Sequence, residues 1–191
     1  MNLTVPVFSD KPLEPVTVPT IEPTLPSHRD PVPGAEAEAK KIRCYRRVCE
    51  RLGSGGQPSA SQFGALARAG YDFIINLLPY EQNTSLPGEG EIARDSGLGY
   101  AHIPVVWTRP TLQDAHLFLS VMDEQAAQGR RVFVHCAVNM RASTYLYLWR
   151  TLRGGVDPDD AEIDLHDIWV PEGWWAEYIA KVSAAFPPQT K

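Results

Sequence analysis

The stretch "VFVHCAVNMRAST", residues 132–144, passes through three kinds of local structure in quick succession. Its apolar start belongs to "RRVFVHC", a short run between Gly129 and the next loop that predicts a buried strand. Residues 142–152, "ASTYLYLWRTL", are almost wholly apolar and predict a central, buried helix that Gly154-Gly155 closes. The loop between them carries Cys136 at the carboxyl end of the strand, where open parallel sheets place their sites. A helix N-terminus offers unpaired N–H groups and about half a positive charge. Together with Arg141 it would favour a thiolate at Cys136 and cradle an oxyanion. Asn139 suits the bend, because asparagine tolerates positive φ better than most residues. His135 is expected to orient the loop through a hydrogen bond rather than to act as an acid or base.

Outward from this loop, strands and helices alternate. "SASQFGALARAGYD" predicts a helix with Ser59 as N-cap, Phe63, Leu66 and Ala67 on one face, and Gly70 as its stop. "YDFIINLL" is a second short apolar run and "GYAHIPVV" a third, with a loop and the short helix "GEIARDSG" between them. "TLQDAHLFLSVMDEQAAQG" is an amphipathic helix with Leu112, Ala115, Leu119 and Met122 on one face. After the Cys loop come helices over 142–153, from Asp159 to about Ile168, and from Glu172 to about Ala185. Trp169, Trp174 and Trp175 are expected to pin the last of these to the body. The alternation predicts an α/β fold: a central, mostly parallel sheet with helices on both faces.

The 191 residues suffice for one domain with an appendage. Eight of the 17 prolines fall within the first 34 residues, so residues 1–36 read as a flexible, Pro-rich disordered arm, usable for docking a partner, ahead of a domain over 37–191. Net charge of −5 speaks against nucleic acid, and no apolar run is long enough to span a membrane. The three cysteines lack paired zinc spacings, and no secretion signal opens the chain, which points to the cytoplasm. Residues 40–51, "KKIRCYRRVCER", hold six of the 18 basic residues and read as a solvated strand edge whose charges deter pairing. Cys44 and Cys49 are expected as half-buried fillers there.

"VFVHCAVNMRAS" resembles the signature loop of cysteine-dependent tyrosine and dual-specificity phosphatases. "RLGSGGQPSASQFGALARAGYDFIINL" followed by "GLGYAHIPV" is similar to the bacterial atypical members sometimes grouped as beta-lactamase-hydrolase-like phosphatases, and the likeness covers most of residues 48–180. The resemblance implies a dual-specificity phosphatase-like fold and hydrolysis of a phosphorylated substrate through a cysteinyl-phosphate, with neither metal nor cofactor. It casts Cys136 as nucleophile and Arg141 as the clamp on the phosphate oxygens. His135, Ala137, Val138, Asn139 and Met140 would line the cradle. Ser143 would hydrogen-bond the sulfur.

Two departures from that pattern bear on the chemistry. The usual loop has five residues between Cys and Arg, whereas here there are four: Ala137, Val138, Asn139 and Met140. That is the loop length of many rhodanese-like sulfurtransferases, so a Cys136 persulfide is the enzymatic rival and an inactive phosphate-binding module the other. The expected general acid is also missing from "IPVVWTRPTLQD", where Asp114 is the one carboxylate. Asp114 fits catalysis, and it fits equally a capping box with Thr111. Glu81 is a weaker candidate.

Overall fold

Every residue of Phe73–Asn76 and Val132–His135 is buried, as the strands at the centre of a sheet covered on both faces must be. The computed structural model describes residues 17–22, 30–80 and 85–188. Its strands are β1 Thr20–Ile21, β2 Arg46–Arg47, β3 Leu52–Gly55, β4 Phe73–Asn76, β5 Gly99–His102 and β6 Val132–His135. They form one sheet in the order β1-β5-β4-β6-β3-β2. The inner four are parallel, and β1 and β2 run antiparallel at the two edges. The expected α/β architecture is what the chain adopts.

The helices are α1 Ala35–Ala39, α2 Ala60–Arg68, α3 Glu89–Asp95, α4 Leu112–Ala127, α5 Met140–Leu152, α6 Pro158–His166 and α7 Trp174–Ala185. One apolar layer joins Ala39, Phe63, Leu66 and Ala93 of α1–α3 to Ile74 and Phe133 of the sheet. The other joins Phe118, Tyr145, Leu148 and Trp175 of α4, α5 and α7 to Phe73, Ile75 and Val134. Successive residues of β4 and β6 therefore serve opposite layers, as the two-residue period of a strand requires. α2 starts where expected: the Ser59 N–H donates to Gln62 Oε1 at 2.8 Å.

The expected tryptophan anchor for α7 is present. Trp175 packs against Trp107 at 4.9 Å and Trp169 at 6.0 Å between ring centroids. The Tyr145 and Tyr178 hydroxyls meet at 2.8 Å, and Tyr178 donates to the Thr111 carbonyl at 2.9 Å. α6 is held by charge: Asp164 takes Arg46 and Arg150, each at 2.7 Å, and Arg46 also pairs with Asp167.

Part of the stretch expected as a free arm lies on the domain. Thr20 and Ile21 pair with Ala101 and Tyr100 at the edge of β5, and Glu22 pairs with Arg130 at 2.8 Å. The Val32 N–H donates to the Arg68 carbonyl at 2.8 Å, and Ala35 is buried. Residues 1–16 and 23–29 lie outside the described residues, so the arm expected there does too. Arg46–Arg47 of the basic stretch form the edge strand β2, but both are half-buried and paired with carboxylates rather than solvated. Cys44 and Cys49, however, are exposed rather than half-buried: Cys44 occupies a left-handed turn (φ 51°) and Cys49 the bend between β2 and β3, so neither side chain reaches the core. Among the described residues no helix is long and apolar enough to cross a membrane.

Candidate active site

The end of β6 and the start of α5 are joined by four residues, and backbone and side-chain hydrogen bonds tie them to the neighbouring segments. The Cys136 N–H donates to Gly55 O at 3.3 Å, and the Gln57 N–H donates to Ala137 O at 3.3 Å, so the loop folds onto the "GGQPS" turn. A methyl group at Gly56 would meet Ala137 O at 2.7 Å, closer than real side chains approach, which explains the glycine. Asn139 caps α5 in the left-handed region at φ 73°, as its residue type predicts. Its side-chain amide donates to Cys44 O at 2.7 Å and to Ser54 Oγ at 3.0 Å.

The N–H of Ser143 makes the first intrahelical bond of α5, to Asn139 O at 2.9 Å. By helical geometry the amides of Met140, Arg141 and Ala142 precede that bond and point out of the helix end, beside the Cys loop. Cys136 is 1 % exposed and belongs to the α5 side of the sheet, in contact with the layer that holds Val105 and Ala142. Arg141 is 4 % exposed. Its Nη1 donates to Val105 O at 2.7 Å and to Leu77 O at 3.5 Å, the carbonyls at the ends of the two neighbouring strand segments. These contacts fix the plane of the guanidinium. Ala137, Val138 and Met140 are half-buried and form the lip of the loop.

His135 points to the opposite face, edge-on to Phe63, and its Nε2 meets Glu89 Oε1 at 2.8 Å. A hydrogen bond was expected of His135 and is present, although its partner was not legible in the sequence. Burial alone would push Glu89 up. The nearby His135 and the hydrogen bonds from His135, Gln57 and Tyr100 outweigh burial and hold the carboxyl below its ordinary range.

Two expected roles take a different form. Ser143 Oγ donates to Met140 O at 3.1 Å instead of to sulfur, because a hydroxyl in the first turn reaches its own i−3 carbonyl. Asp114 is the N3 residue of α4: its Oδ2 accepts the Thr111 N–H at 2.8 Å, and its own N–H donates to Thr111 Oγ1 at 3.1 Å. Burial pushes the Asp114 carboxyl up, and the Thr111 contacts only partly oppose this. The capping box of the sequence reading is thus present. Asp114→Ala is expected to lower stability by about 1 kcal/mol, the scale of a lost cap. Asp114→Asn is expected to slow an aryl and an alkyl phosphate by the same factor. Paired kinetics that show the alkyl ester hit at least tenfold harder would make Asp114 the acid. Glu81 lies outside the described residues.

A cysteine at a strand end, joined by a short loop to the N-terminus of a helix that carries a buried arginine, on this sheet order, matches the dual-specificity phosphatase-like fold class. Comparison with known proteins narrows this. A DUF442 protein from Shewanella putrefaciens CN-32, described as a candidate phosphatase, superimposes with a TM-score of 0.70 at 30 % identity, covering 78 % of this chain and 97 % of that one. The chain belongs to that family. A beta-lactamase hydrolase-like protein of Xylella fastidiosa (strain 9a5c) is 34 % identical over 153 residues, 75 % of this chain. That match spans about a third of the relative's length, 35 %. PTPMT1, solved in complex with PI(5)P, shares the fold with a TM-score of 0.65 at 15 % identity, covering 74 % of this chain and 96 % of that one. No family model matches the sequence.

Proposed function

We propose that the domain hydrolyses phosphate monoesters, phosphotyrosine, phosphoserine or phosphothreonine among them, through a cysteinyl-phosphate on Cys136. The observation that carries this is the convergence on one loop of Cys136, the first amides of α5 and an Arg141 whose plane is set by Val105 O and Leu77 O. The sulfur, as thiolate, attacks phosphorus and the P–O bond to the leaving group breaks. Arg141 and the loop amides hold the charge that collects on the equatorial oxygens. Water then attacks phosphorus, the S–P bond breaks, and the thiolate and free phosphate return.

With Asp114 engaged as a cap, leaving groups that depart without a proton are favoured. A phenol with a pKa of about 10 departs far more readily than an alcohol near the roughly 15.7 of water. Aryl phosphates should therefore be the better substrates. The exposed thiols of Cys44 and Cys49 fit a reducing compartment and support a cytoplasmic site of action.

The four-residue interval supports one rival, sulfur transfer through a Cys136 persulfide, since it gives a smaller ring around the anion. Both readings are tested on one preparation. Purified protein in a chelator is expected to release phosphate from p-nitrophenyl phosphate and to move no sulfur from thiosulfate to cyanide. Robust thiocyanate formation, with Cys136 heavier by one sulfur in the mass spectrum and no phosphate release, would overturn the phosphatase reading. Phosphate binding without either turnover would make the domain a phosphate reader.

A further inference from the structure

Glu89, the first residue of α3, is 1 % exposed and takes no part in the chemistry above. Its Oε1 meets His135 Nε2 at 2.8 Å and its Oε2 accepts from Gln57 Nε2 at 2.6 Å. The Tyr100 hydroxyl also bonds to it and accepts from Asn76 Nδ2 at 3.1 Å. Asn76 Oδ1 in turn accepts the Leu78 N–H at 2.7 Å. A carboxylate left alone at such depth would cost many kcal/mol, and these donors are what offset it.

Each donor leads to the frame of the Cys loop. His135 immediately precedes Cys136, and its carbonyl accepts the Leu77 N–H at 2.9 Å. The Gln57 backbone N–H holds Ala137 O at 3.3 Å. The Leu77 carbonyl contacts Arg141 Nη1 at 3.5 Å, and the residue after it is the one Asn76 fixes. One carboxylate on the face of the sheet opposite α5 thus joins the strand end, the "GGQPS" turn and the backbone beneath the arginine. Packing alone does not call for it, since well-packed apolar groups commonly replace such buried polar sets at no loss of stability.

We infer that Glu89 is a positioning residue for the Cys136 loop, acting through His135 and Gln57 to set where the sulfur and Arg141 sit. The inference rests on the phosphatase reading only for its rate assay. Glu89→Gln keeps the size of the side chain and turns one acceptor into a donor that faces a donor. The expected result is a 10–100-fold fall in kcat on p-nitrophenyl phosphate with KM within about threefold, the scale of a misplacement near 1 Å. Glu89→Gln combined with His135→Asn should be no slower than the slower single variant, within about twofold, because the same support is lost only once. Wild-type kcat in folded Glu89→Gln, or effects that multiply in the double variant, would overturn the inference.

Iodoacetamide alkylation, followed residue by residue by mass spectrometry, is independent of phosphate turnover. It should change at least about fivefold at Cys136 and stay unchanged at Cys44 and Cys49. If wild-type protein releases no phosphate, the phosphatase reading fails while this arm still decides: equal Cys136 rates in wild type and Glu89→Gln overturn the positioning role. Should Glu89→Gln not fold, Gln57→Leu removes a single donor and is expected to lose activity about fivefold. Wild-type kcat there overturns the inference as well.

Discussion

Cys136→Ser is expected to lower aryl phosphate hydrolysis by about three orders of magnitude or more while the fold persists. The size of the effect comes from the step removed: the route runs through a covalent bond to sulfur, and a serine hydroxyl at this site has no adjacent base to take its proton. His135 cannot serve, because it faces the other layer and its Nε2 is engaged by Glu89. The fold should tolerate the change because Ser differs from Cys by one atom at a position that is 1 % exposed. The variant should still bind phosphate, since Arg141 and the α5 amides are untouched, and calorimetric titration with inorganic phosphate measures this. Retention of more than a tenth of wild-type kcat would remove Cys136 from the mechanism.

Arg141→Lys is expected to cost about 10²–10³ in kcat/KM, the range seen when one preorganised donor to a developing oxyanion is removed. Charge alone does not rescue the site. The guanidinium satisfies Val105 O and Leu77 O while it presents a planar fork, whereas an ammonium is a compact point charge without that plane. Lysine is the sharper test than alanine, which would also strip the buried Val105 carbonyl of this donor at about 1–3 kcal/mol and confuse rate with stability. Rates of both variants are to be read against melting curves. Full activity in Arg141→Ala would show that the clamp lies elsewhere.

Sequence alone located the centre of this molecule and missed its margins. "FIIN" and "VFVH" declare themselves because buried parallel strands are continuously apolar, and the left-handed bend at Asn139 follows from residue type. β3 does not announce itself. "LGSG" has the composition of a loop, yet all four of its residues are buried, because Tyr71, Phe133 and Ile42 fill the space where its side chains would stand. Hydrophobic periodicity cannot register a strand whose apolar volume is supplied by its neighbours. β1 is two residues long, too short for any period. The site was legible in Cys136 and Arg141, which share a loop. It was not legible in Glu89, which lies 46 residues before His135 between two glycines and is brought beneath the loop only by the packing of α3.

The carbonyl of Met140 gathers three side-chain donors: Ser143 Oγ at 3.1 Å, Thr144 Oγ1 at 2.9 Å and the Trp169 indole N–H at 3.0 Å. Two belong to the helix that Met140 opens, and the third comes from the far side of α6. The Trp169 indole is thus a fluorophore hydrogen-bonded to the peptide that precedes Arg141. Whatever settles in the loop and shifts its last peptide also shifts that hydrogen bond, and with it the emission of Trp169.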